Sequence, residues 1–295
     1  MFQSYIWNET ALKVFCSKDA PRVVLVEGDA GVALLPCVLG SGGQSVHLAG
    51  ETLFDYRNAL TRGSEKALQS AWEIVADWGV NFEVTALRGT QVEEWKLLPV
   101  SFFANAPMVQ AAQVSVDQFL GSHSRLGRHS RRIRKQGAEL RRHPGGNRAL
   151  VTHIYDLKAQ QDVAANLFRD PLRREFMVEI ASREEAHCEI FTYETAAALV
   201  AALVTFRDGP VRRCYTTYFD EKWAHYSPGQ LLLFDVVTES LREGLDCDFM
   251  TGEYPYKNRL ANHMVPLYRV DATSEQLRAA AHREPTAAET VPVAA

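Results

Sequence analysis

The stretch DFMTGEYPYKNRL, residues 248–260, sets four reactive side chains within five positions. Glu253 can take a proton from an amine, directly or through a water. Tyr256 can return a proton to a thiolate leaving group. Lys257 can neutralise a phosphate or a developing oxyanion. Tyr254 lies between them. The plain alternative is a solvated loop with a tyrosine packed on the core. Loops are usually polar, so charge alone does not separate the two readings. LDCDFMTG, residues 245–252, reads as a strand. Side chains just past the carboxyl end of a strand face the crevice where ligands sit in open α/β sheets.

A second constellation is SPGQLLLFDVV, residues 227–237. Ser227 reads as an N-cap, Pro228 as the first helical residue and Gly244 as the residue just past the end. A helix start offers unpaired N–H groups and the positive end of the macrodipole, which together suit a phosphate. A capped helix that binds nothing is the plain alternative. A third feature is DQFLGSHSRLGRHSRRIRKQGAELRR, residues 117–142, with Phe119, Leu126, Ile133 and Leu140 every seven residues. That spacing predicts one long helix with a thin apolar seam. Eight Lys/Arg against one Glu over residues 121–142 make a local charge of +7. The stretch reads as a clamp for an anionic substrate, as a solvated helix face, or, least of the three, as a nucleic-acid contact. HPGGN, residues 143–147, is a breaker.

These groups need elements to hold them. RVVLVE (22–27) and GVALLPCVL (31–39) read as a hairpin, followed by a short strand at 45–49. Residues 64–79 carry a helical face of Ala67, Leu68, Ala71, Trp72 and Val75, with Ser64 as cap and Gly79 as stop. NFEVTALR (81–88) reads as a strand. Helical patterns return at about 156–168 and at 171–182, after Asp170-Pro171. CEIFTYE (188–194), ALVAALVTF (198–206) and VRRCYTTYF (211–219) predict an antiparallel meander. The expected domains are an α/β unit at 1–112, a second at 113–270 and a tail at 271–295, read as a frayed helix and a disordered end.

Composition bounds the class. The chain has 295 residues, 46% hydrophobic and 23% charged, with a net charge of −4. That suits a soluble protein with no general attraction to nucleic acid or anionic membrane, so nucleic acid is not the expected partner. Five scattered cysteines form no C-x-x-C pair, and nine histidines form no H-x-x-E-H or H-x₃-H pattern, so no metal is expected. Cys188, Cys214 and Cys247 sit in apolar runs and read as buried thiols. There is no G-x-S-x-G elbow for a serine nucleophile. The N-terminus carries no signal-peptide pattern and no apolar run nears membrane-span length, so the expected setting is the cytoplasm.

Three marks together, SRLGRHSRRIRKQGAELRR, YSPGQLLL and DFMTGEYPYKNRL, carry a resemblance. The chain resembles the GNAT acyltransferase superfamily, in the branch named after cellulose-biosynthesis proteins and related to the Fem-type peptidyltransferases that use aminoacyl-tRNA. VALLPCVL and FDYRN look like that branch's first half. The resemblance implies an α/β fold with a mixed sheet: two GNAT-like units, the second carrying the acyl-CoA site. It implies that strand 211–219 splays from strand 246–251, with the donor's pantetheine arm in the gap beside Tyr215, Thr216 and Thr217. It places the donor's pyrophosphate at residues 225–231, on Ser227 and the N–H groups of Gly229, Gln230 and Leu231. Glu253, Tyr256 and Lys257 become candidate catalytic residues. Asp55, Tyr56, Arg128, Arg131, Arg132 and Lys135 become candidate contacts to a small, anionic or saccharide-type acceptor. The usual Gln/Arg-x-x-Gly-x-Gly/Ala motif is reduced here to Ser227-Pro228-Gly229-Gln230, with one glycine and no arginine. Acetyl-CoA or another acyl-CoA is the expected donor. An acyl carrier, an aminoacyl-tRNA, or a non-catalytic binding protein of the same fold are the alternatives.

Overall fold

The structure, a computed structural model, describes residues 1–283 apart from 16, 19, 30, 41, 51–52, 64 and 162–165. The expected Ser64 cap and residues 284–295 of the expected tail therefore lie outside the described residues. The first part of the chain builds α1 (Tyr5–Val14), β1 (Ala20–Gly28), β2 (Gly31–Leu39), β3 (Ser45–Leu48), β4 (Leu60–Gly63), α2 (Glu65–Ala76), β5 (Asn81–Arg88) and β6 (Val100–Val109). The middle builds α3 (Val116–Ser122), α4 (Ser124–Lys135), β7 (Glu139–Pro144), α5 (Arg148–Gln160), α6 (Pro171–Ala181), β8 (Cys188–Glu194), β9 (Leu199–Asp208), β10 (Val211–Phe219), α7 (Pro228–Arg242), β11 (Asp246–Asp248) and α8 (Pro255–Leu260). β12 (His263–Ala272) and α9 (Ser274–Ala281) follow. No helix among the described residues is long and apolar enough to cross a membrane.

The chain divides into two compact units, residues 1–105 with 265 onward, and residues 106–264. The first is therefore discontinuous. Its sheet runs β1-β2-β3-β5-β12, with β3 and β5 parallel and the other neighbours antiparallel. The alternation of β2 and β5 and the predicted face of α2 (Ala67, Leu68, Ala71, Trp72, Val75) meet in one core. Residues 271–272 end β12, and the helix expected at the head of the tail is α9, capped and packed rather than frayed. Thr273 and Gln276 form a capping box there, and Gln69 of α2 donates to the Arg283 carbonyl at 2.7 Å. Leu277 and Ala280 bury apolar surface in the core, which is what an Ala-rich tail read alone lacks.

The second unit is a mixed sheet in the order β6-β11-β10-β9-β8-β7, entered at residues 106–109. β8, β9 and β10 form the expected antiparallel meander, and β10 and β11 pair in parallel. α7 is apolar on nearly every side and is buried along almost its whole length. The long basic helix divides. α3 ends at Ser122, where His123 Nδ1 bonds the Phe119 carbonyl, and α4 ends at Lys135. Gly137 then takes a left-handed φ of 90°, and residues 139–144 pair with β8 as a strand. Phe119 and Ile133 are buried as the seam predicts; Leu140 sits on the strand. α5 begins at Arg148, earlier than the expected 156, because the Asn147 side chain accepts from the Leu150 N–H.

Two buried arginines brace the start of β10. Arg212 has no exposed surface and bonds Glu189, Glu243 and Ser240. Arg213 bonds Asp208 and the buried Asp248, the latter at 2.7 Å. Guanidinium groups survive burial because carboxylates meet them on two sides.

Candidate active site

β10 and β11 pair in parallel only from Val211–Asp246 to Arg213–Asp248. Beyond that point they part. β10 bulges between Cys214 and Thr216, which leaves Tyr215 out of register, and continues against β9. The other chain leaves by a different route. Phe249 N–H donates to the Pro107 carbonyl, Met250 takes a left-handed φ of 63°, and Gly252 reaches φ 99°. Asp248 steadies this turn by accepting the Met250 N–H at 2.8 Å. From Cys214 onward β10 therefore no longer pairs with β11.

Register decides which groups of β10 face away from β9. Asp220 N–H donates to the Val200 carbonyl, so even-numbered residues bond β9 and odd-numbered ones turn the other way. The carbonyls of Thr217 and Phe219 accept from Lys158 Nζ at 2.8 Å and Gln161 Nε2 at 3.0 Å, both at the end of α5. Thr216 points its hydroxyl to Tyr155 of α5 at 3.0 Å, whereas Thr217 points its methyl to α7. Strand alternation thus gives the two helices opposite faces of β10.

The start of α7 differs from the expected cap. Ser227 is in the left-handed region, φ 54°, and its hydroxyl caps nothing; its carbonyl accepts the N–H groups of both Gln230 and Leu231, at 3.0 and 3.1 Å. Those two donors are thereby spent, and of the three expected only the Gly229 N–H lacks a partner among the described residues. Gly229 itself is buried. A Cβ there would lie 3.1 Å from the Thr217 methyl, so close helix–strand packing explains the glycine.

Tyr256 is half-buried against the core of this unit and stacks on Tyr254, centroids 6.0 Å apart. Burial first, then Tyr254 and Cys214, push its hydroxyl up to about 12, so it is a proton donor at neutral pH. Tyr256 packs against the same apolar cluster that holds Cys214, where the strands part. Cys214 and Cys247 face each other at 3.4 Å between sulfurs; that contact, then burial, holds Cys214 well above an ordinary thiol. It is not a nucleophile at neutral pH. Lys257 Nζ donates to the Thr251 carbonyl at 2.9 Å and lies 5.3 Å from the Tyr254 ring centre, which fixes the turn at Gly252. Glu253 is exposed on the same loop.

The α4 cations fall into two groups. Arg125, Arg128, Arg131, Arg132 and Lys135 are exposed, and none has a carboxylate partner among the described residues. At about 100° per residue they share one third of the helix circumference. Arg132 reaches the Tyr226 ring, 5.8 Å from its centre, one residue before Ser227. Arg134 turns inward to Asp235 of α7. Asp235 also accepts from Ser130 at 3.0 Å and from Tyr193, whose hydroxyl burial keeps protonated. This node pins α4 onto α7. Its signal in the sequence was a lone carboxylate within the apolar run LLLFDVV. Asp55 and Tyr56 lie in the first unit. Tyr56 is 2% exposed, packed on Phe2 with the Arg88 guanidinium 4.9 Å from its ring centre; Asp55 is half-buried. The ring of Tyr56 is core there and presents no surface to a ligand. Among the described residues no group of three His, Cys, Asp or Glu is placed to hold a metal ion.

Residues 122–258 match the family described as the acetyltransferase (GNAT) domain. The second unit has the GNAT fold. Solved structures extend the likeness to both units. FemX is similar at 12% identity and a TM-score of 0.57, over 91% of each chain. So is the C-terminal domain of a protein assigned as a lysylphosphatidylglycerol synthetase from Agrobacterium fabrum, at 12% identity and a TM-score of 0.60, over 92% of this chain and 94% of that one. A conserved protein of unknown function from Bacteroides thetaiotaomicron follows at 10% identity and 0.62, over 89% of each. At such identities the likeness speaks for the fold. No curated protein matches the chain. Within the GNAT unit, the strands that part are β10 and β11, and the helix start beyond them is that of α7.

Proposed function

We propose that the second unit is an N-acyltransferase that takes its acyl group from an acyl-CoA, with acetyl-CoA the first donor to try. One observation carries the reading: β10 and β11 stop pairing at Arg213–Asp248, and the chain of β10 runs on to the exposed Ser227 that precedes α7. A thioester arm fits along the opened edge, with its phosphates at the Gly229 N–H and Arg132. The acceptor amine attacks the thioester carbonyl. Its nitrogen loses a proton to Glu253, directly or through water, and the departing thiolate takes one from Tyr256. The acceptor is a small anionic or saccharide-type amine. Lys257, bonded to Thr251, ties α8, which carries Tyr256, to the turn before it. The cellulose-biosynthesis-protein-like branch rests on the marks in the sequence.

A second reading is favoured by one feature of α7. With Gln230 and Leu231 already bonded to Ser227, only one backbone donor greets a pyrophosphate. An aminoacyl-tRNA donor, as the Fem resemblance implies, dispenses with that group. Turnover assays separate the two: an amine panel with acetyl-CoA in one series and charged tRNA in the other. Acyl transfer from acetyl-CoA, slowed about 10²-fold by Tyr256→Phe, supports the proposal. Transfer from charged tRNA alone overturns it. An unchanged rate in Tyr256→Phe removes that residue from the proton path.

A further inference from the structure

Lys158 belongs to none of the expected groups, yet it sits on the opened edge of β10. Lys158 is half-buried, and its amine donates to the Thr217 carbonyl at 2.8 Å. Among the described residues it has no carboxylate partner. A buried ammonium is costly unless an anion or several hydrogen bonds meet it. The end of α5 supplies part of a negative potential and Thr217 one acceptor, which leaves two N–H donors of the ammonium for something else. Burial pulls the amine below the ordinary lysine range.

The surroundings hold this amine in place. Gln161, three residues on, bonds the next outward carbonyl of β10, and Tyr155, three residues back, bonds Thr216 at 3.0 Å. The three contacts stitch one face of α5 to β10. That face is the opposite one from α7, whose Gly229 packs against the Thr217 methyl. A donor held at α7 therefore leaves the α5 side of the gap to the acceptor.

We propose that Lys158 is the anchor for an oxyanion of the acceptor, a carboxylate or a phosphate, which it holds on the edge of β10. This rests on the acyltransferase reading for the word acceptor, though the anion site itself is tested without turnover. The role differs from that of the α4 arginines, which are exposed; Lys158 is half-buried and already oriented by Thr217, so an anion meets it at lower entropic cost.

The test is amine-selective acetylation of the full chain, with Lys158 read by peptide mass spectrometry, in the presence of succinate, inorganic phosphate or acetyl-CoA. Protection of Lys158 by succinate or by phosphate, with Lys66 and Lys222 unaffected, supports the proposal and tells the two oxyanions apart. In a calorimetric titration of the protecting anion, Lys158→Met should weaken binding by about tenfold or more, as loss of a charge-assisted bond does, while Lys158→Arg keeps it. Indifference of Lys158 to both anions overturns the proposal, as does undiminished binding in a Lys158→Met protein with native melting behaviour. Protection by acetyl-CoA alone also overturns it, by giving the amine to the donor. Should acetyl-CoA fail to bind while an anion still protects Lys158, the donor assignment falls and the anion site stands.

Discussion

Arginine plays two unlike parts in the second unit. On α4, Arg125, Arg128, Arg131 and Arg132 face solvent with no carboxylate within reach among the described residues. On β10, Arg212 and Arg213 are buried and each meets carboxylates from two elements. In the sequence the α4 run is conspicuous and the β10 pair is two letters in a strand. In the structure the conspicuous run is optional to the fold and the modest pair is structural. Charge density along a chain says little about energy; burial and the partner decide it. Arg134 and Lys158 fall between the extremes, one pinned to a buried aspartate, the other half-buried and with no carboxylate partner among the described residues.

The comparison breaks first at Arg213. Arg213→Ala leaves Asp248 buried without its main cation, and a loss of about 3–5 kcal/mol in denaturant unfolding is expected. A loss below 1 kcal/mol would make the β10 pair as dispensable as the α4 run. Asp235→Ala comes next, at about 1–3 kcal/mol, because Ser130 and Tyr193 lose their acceptor inside the core. The same variant should loosen α4, read as faster amide exchange over residues 124–135 than over α6. Gly229→Ala tests whether the glycine serves packing. Its cost should shrink by about 1 kcal/mol in a Thr217→Ser background, which lacks the obstructing methyl; equal cost in both backgrounds denies that contact. Smallest is Arg128→Ser/Arg131→Ser/Arg132→Ser, expected to shift stability by no more than about 0.5 kcal/mol. Unfolding of that triple variant would reverse the comparison.

Local pattern made much of this legible. The hairpin of β1 and β2, the strand β5, the meander β8–β10, α6 with its Asp170 cap and the Pro228 start of α7 all follow from turn residues, alternation or capping within a dozen positions. The misreadings are of another kind. Leu140 fits the heptad spacing of Phe119, Leu126 and Ile133, yet Gly137 breaks the helix and β8 offers residues 139–144 an edge to pair with. Periodicity cannot see that edge, which lies some fifty residues away. The return of β12 and α9 to the first unit is likewise a long-range pairing with β5 and α2. The same limit governs the site. Tyr256 and Gly229 stood out because proline and glycine punctuate their loops. Lys158 is one lysine in an ordinary helix, and its standing comes from a strand carbonyl sixty residues on. Asp55 and Tyr56 carry polar and aromatic groups that suit a ligand, and in Tyr56 packing claimed the ring.

The central claim is that the gap between β10 and β11 receives the acyl donor. It is tested most directly by titrating the full chain with acetyl-CoA and following backbone amide shifts. Saturable shifts at Gly229, Tyr215 and Thr217, with α4 beyond Arg132 unmoved, are the predicted result. Shifts confined to the α4 arginines, or no saturable binding of acetyl-CoA, would contradict it.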